Sequence, residues 1–349
     1  MAEAILYQRL EGGRVRCDIC QWHCNIGPGK YGLCRCRKNE DGMLQVLNYA
    51  RVSSIAADPV EKKPLYHFYP GTMCLSLGTL GCNFHCLHCQ NYHIACVEDP
   101  FKADTGLQDI TPRDSINLAG KKDCRGIAWT YNEPGIWFEY TLDSARLAKE
   151  NNLYTVYVTN GYLSPQALDM IGPYLDAWRV DIKGFSDAFY MKLAKVKKWR
   201  GILEVAQRAR HKWNMHVEVV TNIIPTLNDD ERQLQELASW IKNELGELTP
   251  WHVTRFYPQY RLQNLPPTPI QTLEKAWNIG SDAGLKFVYV GNVAGHASEN
   301  TVCYRCGKTV IRRRGYHTEI LGVDGSNCSF CSADLNIRGA GVRTREEKS

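Results

Sequence analysis

The chain lacks any long apolar run. A membrane-spanning helix needs about 20 consecutive apolar residues, and charged or polar residues interrupt every apolar run in this 349-residue sequence well short of that. The first residues carry Glu3, Arg9 and Glu11 around a short apolar stretch, a pattern unlike that of a secretory signal. We therefore expect a globular, cytoplasmic protein with no membrane partner.

An excess of one charge sign and the common nucleotide-binding motifs are also absent. The 42 Lys and Arg residues against 37 Asp and Glu residues leave a net charge of +5, too small to indicate a nucleic-acid partner. Neither G-x-G-x-x-G nor G-x-x-x-x-G-K-[ST] follows any predicted strand. The sequence therefore predicts neither a dinucleotide site nor a P-loop.

Cysteine, in contrast, is abundant and clustered. Of the 15 cysteines, five lie between Cys17 and Cys36, three between Cys82 and Cys89, and four between Cys303 and Cys331. In a large chain without an export signal, this many cysteines indicates metal binding rather than disulfides. Cysteines that serve only as small apolar residues do not recur at gaps of two and three. We therefore expect three metal centres.

Between the outer cysteine groups, short β-branched or aromatic runs alternate with longer amphipathic segments. This alternation predicts a parallel sheet with crossover helices. The segment is shorter than a typical eightfold barrel of about 250 residues, which favours a partial (β/α)6 barrel, with a doubly wound open sheet as the alternative. The predicted strands are 73–79, 126–131, 153–160, 177–183, 216–224, 251–257 and 285–292.

Composition divides the chain into three predicted parts. Residues 1–70 form a Cys-rich metal-binding module, and residues 71–294 form the α/β core. Residues 295–349 form a zinc-ribbon-like or rubredoxin-like module that ends in a polar, basic tail.

The central cysteines follow the first predicted strand of the α/β repeat. Cys82, Cys86 and Cys89 have the spacing C-x3-C-x2-C within one short loop. Short gaps of this kind hold a [4Fe-4S] cluster, and three thiolates leave one of its irons without a protein ligand. An open coordination position indicates chemistry rather than scaffolding. The alternative is a structural zinc ion completed by His85 or His88.

This loop resembles that of the radical S-adenosylmethionine (SAM) superfamily. The resemblance implies that the open iron binds SAM, which is cleaved to methionine and a 5′-deoxyadenosyl radical that abstracts hydrogen from a substrate. It also implies a one-electron donor, ferredoxin or flavodoxin. Trp129-Thr130-Tyr131-Asn132-Glu133-Pro134 resembles the family's turn at the SAM amino group, and 179–184 resembles the Asp-x-Lys strand end of glycyl-radical activases.

The resemblance implies further site residues at the carboxyl ends of predicted strands, where α/β barrels place active sites. Asp181 and Lys183 are the predicted catalytic residues, and they face SAM or substrate. The complete set of predicted cofactor-binding residues is Cys82, Cys86, Cys89, Asn132, Glu133, Asn160, Asp181, Lys183 and Asn222.

Several of these residues also have a purely structural interpretation. Glu133 suits a helix N-terminus, where an acidic side chain is favoured by the helix dipole. Asp181 and Lys183 share one face of a strand and suit a simple ion pair. Asn222 suits a turn.

A narrower resemblance is to the AmmeMemoRadiSam-system radical SAM enzymes, which are often labelled pyruvate formate-lyase activating enzyme-like. Residues 61–68, 131–134 and 290–293 carry it, together with the amino-terminal cysteines. The resemblance names no substrate, which stays unassigned as a small molecule or a protein. The alternatives are a glycyl-radical enzyme activase acting on a protein glycine and a non-catalytic zinc protein that binds nucleic acid.

The two outer cysteine groups each supply four thiolates. Two C-x2-C pairs with a predicted hairpin between them indicate structural zinc, with rubredoxin-like iron as the alternative. The amino-terminal group suits zinc or a second iron–sulfur cluster, and we favour zinc because the spacing requires no redox activity. The carboxy-terminal ligands are Cys303, Cys306, Cys328 and Cys331, and the amino-terminal ligands are Cys17, Cys20, Cys24 and Cys34.

Overall fold

The main element of the fold is one eight-stranded sheet. The computed structural model describes residues 2–98, 100–101 and 106–341, so most of the predicted basic tail lies outside the described residues. Each strand is hydrogen-bonded to its neighbours in chain order. The strands are β1 (Ser54–Pro59), β2 (Met73–Gly78), β3 (Gly126–Trp129), β4 (Tyr154–Thr159), β5 (Ala177–Asp181), β6 (His216–Ile223), β7 (Trp251–Arg255) and β8 (Val288–Gly291).

The predicted α/β fold with a parallel sheet is confirmed, and one count is corrected. Strands β2 to β8 are parallel, which makes seven parallel strands rather than the six of the expected (β/α)6 unit. The additional edge strand, β1, runs antiparallel to β2. It was missed because it ends in proline and has only one buried residue, so it lacks the alternation that identifies a strand. Curvature of the sheet into a partial barrel stays a prediction.

Helices form the crossover connections between the parallel strands. Several helices begin at a residue whose side chain caps the first turn. The Thr111 hydroxyl accepts from the backbone N–H of Asp114 in a capping box, and Ser164 and Asp230 cap two further helices. These caps satisfy N–H groups that would otherwise have no partner. The helices are α1 (Pro112–Lys121), α2 (Phe138–Glu150), α3 (Pro165–Ile171), α4 (Gly201–His211), α5 (Glu231–Trp240) and α6 (Ile270–Asp282).

Shorter helical turns complete the crossovers and loops. The segment before α4 contains two of them and then Lys195 with φ +61°, a left-handed conformation that ends a helix. The short turns are Glu11–Gly13, Val60–Lys62, Tyr92–Ala95, Pro134–Trp137, Gly172–Tyr174, Asp187–Phe189, Tyr190–Ala194, Ile241–Leu245 and Ala297–Glu299.

The parallel strands are buried on both faces. Every residue of β4 is buried, as is every residue of β3, which is typical of a parallel sheet covered by helices. The core beneath the sheet includes Trp129, Trp178 and Trp251, none of which exposes any surface. These buried strands fix the positions of the loops at their carboxyl ends.

The amino-terminal segment folds into two small antiparallel sheets packed against the core. One contains Ala2–Glu3, Met43–Val46 and Arg37–Glu40, and the other contains Tyr7–Arg9, Val15–Cys17 and Asn25–Ile26. A short pair, Arg51–Val52 with Gln108–Asp109, lies beside them.

A buried ion pair joins this segment to α2. The guanidinium of Arg37 donates to both carboxylate oxygens of Glu139 at 2.9 and 2.7 Å, and the N–H of Ile5 donates to the same carboxylate at 3.1 Å. Both side chains are almost completely buried.

The carboxy-terminal segment is a second small β unit. Thr301–Val302, Thr309–Arg314 and His317–Ile320 form an antiparallel sheet, so the predicted hairpin is confirmed. A further hairpin pairs Val323–Asp324 with Asn327–Cys328. Its apolar residues pack with the last strand of the main sheet in one cluster that includes Tyr66, Phe287, Tyr289, Ile311 and Leu335.

Among the residues described, no helix combines the length and the apolar character that crossing a membrane requires.

The buried pair of Arg37 and Glu139 generates a prediction for stability. Glu139→Gln leaves the guanidinium buried without a counter-charge, and we expect a loss of about 3–5 kcal/mol in the free energy of unfolding. The matched control is Glu236→Gln, which removes the carboxylate from the exposed Arg232–Glu236 pair and should cost at most about 1 kcal/mol. Urea denaturation of the two variants measures both values, and equal losses would contradict the prediction.

Candidate active site

All nine residues predicted to bind the cluster and SAM line one cavity at the carboxyl ends of the parallel strands. The cavity has a volume of about 780 Å³, which lies within the range of about 300–1,000 Å³ that small-molecule and cofactor sites occupy. The strands therefore bring together side chains that are up to 140 positions apart, from Cys82 to Asn222.

The cysteine loop leaves β2 through a turn that only glycine fits. Gly81 has φ +90°, and a Cβ at this position would lie 2.6 Å from Cys36 Sγ and 2.7 Å from the carbonyl oxygen of Cys34. Glycine tolerates both the positive φ and the close approach. The amino-terminal segment therefore packs directly against the start of the loop.

Three side-chain amides hold the loop against the strand ends. Asn132 donates to the carbonyl of Gly81 at 2.8 Å, and Asn160 donates to the side-chain oxygen of Asn83 at 2.8 Å. From the loop itself, Asn91 donates to the carbonyl of Tyr131 at 2.6 Å. Asn132 and Asn160 therefore position the cysteine loop.

The three loop thiols are spread more widely than the ligands of a single ion. Four thiolates around one zinc ion at about 2.3 Å lie about 3.8 Å apart. Within the described residues, Cys82, Cys86 and Cys89 do not form a set whose sulfur atoms all lie within 4.8 Å of one another, and neither His85 nor His88 completes such a set. This spread fits the larger core of an iron–sulfur cluster better than the zinc alternative.

Burial shifts the pKa values of several groups in the cysteine loop. Burial raises the pKa of Cys82 well above its usual value and also raises that of Cys86, although Lys183 opposes the second shift. Burial, assisted by Lys183, lowers the pKa of His88 to about 3, so this imidazole is neutral. Its Nδ1 is buried without a hydrogen-bond partner and belongs to the cavity wall.

Glu133 joins the ends of two strands. Its carboxylate accepts from the hydroxyl of Thr159 at 2.8 and 3.0 Å, from the N–H of Asn160 at 2.8 Å and from the N–H of Gly135 at 2.9 Å. The last bond caps the Pro134–Trp137 turn, so the structural interpretation of this residue is present as well. Burial raises the pKa of Glu133 to about 7, and a cation bound in the cavity would stabilise its ionised form.

Asp181 lies between two cations. Lys183 Nζ donates to one carboxylate oxygen at 3.0 Å, and Arg179 contacts the other. Although burial opposes both shifts, the two cations lower the pKa of Asp181, and Asp181 raises that of Lys183. The ion pair expected from the structural interpretation is therefore present, and it lies in the cavity wall.

Asn222 spans two strands rather than capping a turn. Its side-chain amide donates to the carbonyl and hydroxyl oxygens of Thr254 at 3.3 and 3.2 Å. The side chain lines the cavity at the end of β6.

The charged or titratable residues of the cavity wall that were not among the predicted site residues include Arg179, Lys63 and His252. Arg179 lies two residues before Asp181, so the period of two along β5 was a usable signal. Lys63 belongs to the 61–68 motif, and its Nζ donates to Asp58, five residues earlier in the chain, at 2.9 Å. His252 donates from Nε2 to the buried carboxylate of Glu218 on the neighbouring strand at 2.6 Å.

The backbone at the cavity is strained at one aromatic residue. Tyr131 has φ +73°, a left-handed conformation that bulky residues rarely adopt. Its hydroxyl donates to Asp58 at 2.9 Å. Strain of this kind persists where the surroundings enforce it and is common at functional sites.

The carboxy-terminal cysteines form a compact set. The sulfur atoms of Cys303 and Cys331 are 3.5 Å apart and those of Cys306 and Cys328 are 3.7 Å apart, and all four lie within 4.8 Å of one another. These distances match a single tetrahedral ion. The same unit reaches the cavity, because Gly315 and Tyr316 in the turn of its hairpin line the wall.

The amino-terminal cysteines occupy a different place. Cys17, Cys20, Cys24 and Cys34 line a second, much smaller cavity, which Asn83 of the cysteine loop also lines.

The chain is similar to several known proteins. A family model described as the Radical SAM superfamily matches residues 77–240. An uncharacterized protein of Methanocaldococcus jannaschii is 41% identical over 340 residues, which are 97% of this chain and 99% of that protein. The pyruvate formate-lyase-activating enzyme of Clostridium pasteurianum is 26% identical over 186 residues, covering 49% of this chain and 72% of that protein. Among solved structures, a radical SAM methyltransferase of Sphaerobacter thermophilus is 14% identical with a TM-score of 0.49, covering 69% of this chain and 71% of that chain.

The raised pKa of Glu133 predicts a pH dependence of stability in the metal-free protein. The folded state holds this proton up to about pH 7, whereas an unfolded glutamate loses it near pH 4.3. The contribution of this proton to the free energy of unfolding is therefore complete below about pH 4 and is lost as the pH rises towards 7. Glu133→Gln should reduce the fall in urea midpoint between pH 5 and 7.5, even if the variant is less stable throughout. An unchanged fall in this variant would contradict the prediction, and Glu236→Gln is the control.

Proposed function

Because the chain belongs to the radical SAM superfamily, we propose that it cleaves S-adenosylmethionine reductively at a [4Fe-4S] cluster bound by Cys82, Cys86 and Cys89. The supporting observation is the cavity at the strand ends, which collects these three thiols and the polar residues expected to face SAM. When bound, the cluster supplies an iron that chelates SAM and an electron that produces the 5′-deoxyadenosyl radical.

The residues of the cavity suit the charges of SAM. Glu133 offers a buried carboxylate to a cationic group, and its three protein donors hold it in one orientation. Lys183 and Arg179 offer cations to a carboxylate, with Asp181 holding both in place. We propose Asp181 and Lys183 as the residues that contact SAM or substrate, with Asn222 beside them.

With SAM and substrate in place, the apolar side chains of the wall would limit access of water to the cavity. Val158, Val220 and Tyr66 in its wall are buried, and the turn of the carboxy-terminal hairpin lies on one side of it. A water-excluding site protects a reactive intermediate from side reactions. The cofactor thus supplies the radical, and the chain supplies orientation and exclusion of water.

The substrate is a molecule that gives up a hydrogen atom to the 5′-deoxyadenosyl radical, and a ferredoxin or flavodoxin is the proposed electron donor. A second candidate function is activation of a glycyl-radical enzyme by hydrogen abstraction from a protein glycine. The similarity to the Clostridium pasteurianum activating enzyme over 186 residues favours it. Transfer of deuterium from a labelled candidate substrate into 5′-deoxyadenosine separates the two functions.

We further propose that the compact carboxy-terminal cysteine set binds one structural ion, zinc or iron. Its four thiolates close the coordination sphere, which is typical of structural rather than catalytic sites.

The first test of the proposed function removes a central thiolate. Cys86→Ala takes away one of three cluster ligands, so we expect loss of the labile sulfide at this site and no 5′-deoxyadenosine after reduction with SAM. Cys124→Ala is the control, because this buried cysteine lies outside all three ligand sets. Iron and sulfide analysis with chromatography of the products measures the outcome, and 5′-deoxyadenosine at the unmodified level from Cys86→Ala would refute the proposal.

The second test separates the carboxy-terminal site from the chemistry. Cys306→Ala removes one of four ligands, and structural zinc contributes on the order of 10 kcal/mol to the folding of small domains. We expect loss of one metal ion per chain and rapid proteolysis after residue 295, with slow cleavage of SAM retained. Equal loss of SAM cleavage in Cys306→Ala and Cys86→Ala would contradict the structural role.

A further inference from the structure

The amino-terminal cysteines differ from the carboxy-terminal set in their spacing. The four carboxy-terminal sulfur atoms all lie within 4.8 Å of one another, and across the described part of the chain no other group of three or more Cys, His, Asp or Glu side chains does so. A single tetrahedral ion requires sulfur atoms about 3.8 Å apart. The amino-terminal cysteines are therefore too widely spread for zinc, as are the central three.

These four thiols nevertheless surround a common space. Cys17, Cys20, Cys24 and Cys34 all line one small cavity of about 20 Å³, slightly more than the 10–15 Å³ that one water molecule requires. Four thiolates closed around a single ion would leave no such space. Wide spacing around a shared hollow is the geometry of a ligand that is larger than an ion, such as an iron–sulfur core.

The rest of the wall suits a buried redox centre. Apolar side chains complete it, and the buried Arg37 is its one charged side chain apart from the thiols. The apolar lining residues are Ile19, Trp22, Ile26, Leu33 and Ile136.

Backbone N–H groups point at the sulfur atoms in the same way as in the central loop. The N–H of Phe84 donates to Cys82 Sγ at 3.4 Å, from two residues further along the chain. The backbone N–H groups of Ile19 and Trp22, two residues ahead of Cys17 and Cys20, lie near these sulfur atoms. Hydrogen bonds to sulfur stabilise thiolate ligands and tune the potential of a cluster.

The second cavity lies directly beside the central cysteine loop. Asn83 belongs to the central loop, next to Cys82, and also lines this cavity. Trp22 Nε1 donates to the Asn83 carbonyl at 2.8 Å. Cys36 Sγ donates to the carbonyl of Leu80 at 3.2 Å and packs against Gly81. One layer of side chains and backbone thus separates the two cysteine sets.

We propose that Cys17, Cys20, Cys24 and Cys34 bind a second, fully ligated iron–sulfur cluster that relays electrons to the central site. Four protein thiolates leave no iron open to SAM, so the centre transfers electrons and carries out no substrate chemistry. One electron from a ferredoxin-class or flavodoxin-class protein reduces this cluster, which is oxidised again as the same electron passes to the central cluster. The relay rests on the proposed function, whereas the identity of the metal centre does not.

The surface over this site suits an electron-transfer partner. Tyr31 and Leu33 are exposed apolar residues next to Cys34, and Lys30 and Arg35 are exposed cations on the same stretch. A cationic rim around exposed apolar residues attracts an acidic donor protein and speeds its association.

The metal centre is tested by analysis of the full chain without its central ligands. The triple variant Cys82→Ala/Cys86→Ala/Cys89→Ala, reconstituted anaerobically with iron and sulfide, should keep about four iron and four sulfide ions per chain at the amino-terminal site and give an electron paramagnetic resonance signal after reduction. Adding Cys20→Ser should abolish that signal and the sulfide, whereas adding Cys124→Ser should leave both unchanged.

Zinc at the amino-terminal cysteines is the result that would overturn the proposed cluster. If the triple variant contains no sulfide and the protein carries two zinc ions per chain, the site is a zinc site and the proposal is wrong. Zinc retained at the carboxy-terminal cysteines shows that the Cys20→Ser chain is folded. If that chain does not fold, Cys24→Ser at the more exposed ligand repeats the measurement.

The relay is tested in the chain with an intact central triad. Cys20→Ser should lower 5′-deoxyadenosine formation about tenfold or more with reduced flavodoxin, and less than about twofold with titanium(III) citrate, a small reductant that enters the main cavity. Equal rates with flavodoxin in the variant and the unmodified protein would overturn the relay. Absence of product with titanium(III) citrate in the unmodified protein would refute the proposed function instead, and the metal analysis would still stand.

Discussion

The geometry of the cavity depends on how the cysteine loop leaves β2. Gly81 turns the chain at φ +90° while the amino-terminal segment packs within 2.7 Å of where a Cβ would be. The amides of Asn132 and Asn160 then fix the loop from the two neighbouring strand ends. Because the loop is held on three sides, the thiols keep a fixed position relative to the sheet, and a cluster needs such preorganised ligands.

The ionisable groups of the cavity described above are held by hydrogen bonds and ion pairs. Asp181 contacts two cations, Glu133 accepts three donors, and Lys63 lies on Asp58. An isolated buried charge would cost several kcal/mol, so the network makes a polar cavity compatible with a stable α/β core. The same network keeps charged groups available for a zwitterionic ligand without rearrangement of the protein, which is the condition for effective electrostatic stabilisation.

The three cysteine sets differ in the distances between their sulfur atoms. The carboxy-terminal set is compact, and it lies on a small antiparallel unit attached to the main sheet through Tyr66 and Tyr289. The other two sets are wider and lie side by side, because Asn83, which follows Cys82 in the chain, lines the amino-terminal cavity. We propose that the two adjacent sets serve electron transfer and chemistry, and that the compact set serves structural support.

The sequence by itself identified all seven parallel strands, although they were interpreted as a six-stranded unit, because runs such as that of β4 are β-branched or aromatic throughout and alternate with amphipathic helices. It also determined the three cysteine groups and the polar strand ends, because ligand spacing and the period of two along a strand are local properties. The tertiary structure alone decided the antiparallel strand β1, the contact of Tyr131 with Asp58 and that of His252 with Glu218. These depend on residues distant in the chain or on pairing at a sheet edge, which no local pattern records. Tertiary structure also distinguished the widely spaced amino-terminal thiols from the compact carboxy-terminal ones. Four cysteines at short gaps along the chain can close around an ion or surround a cluster. Only the packing of the surrounding loops fixes the distance between their sulfur atoms.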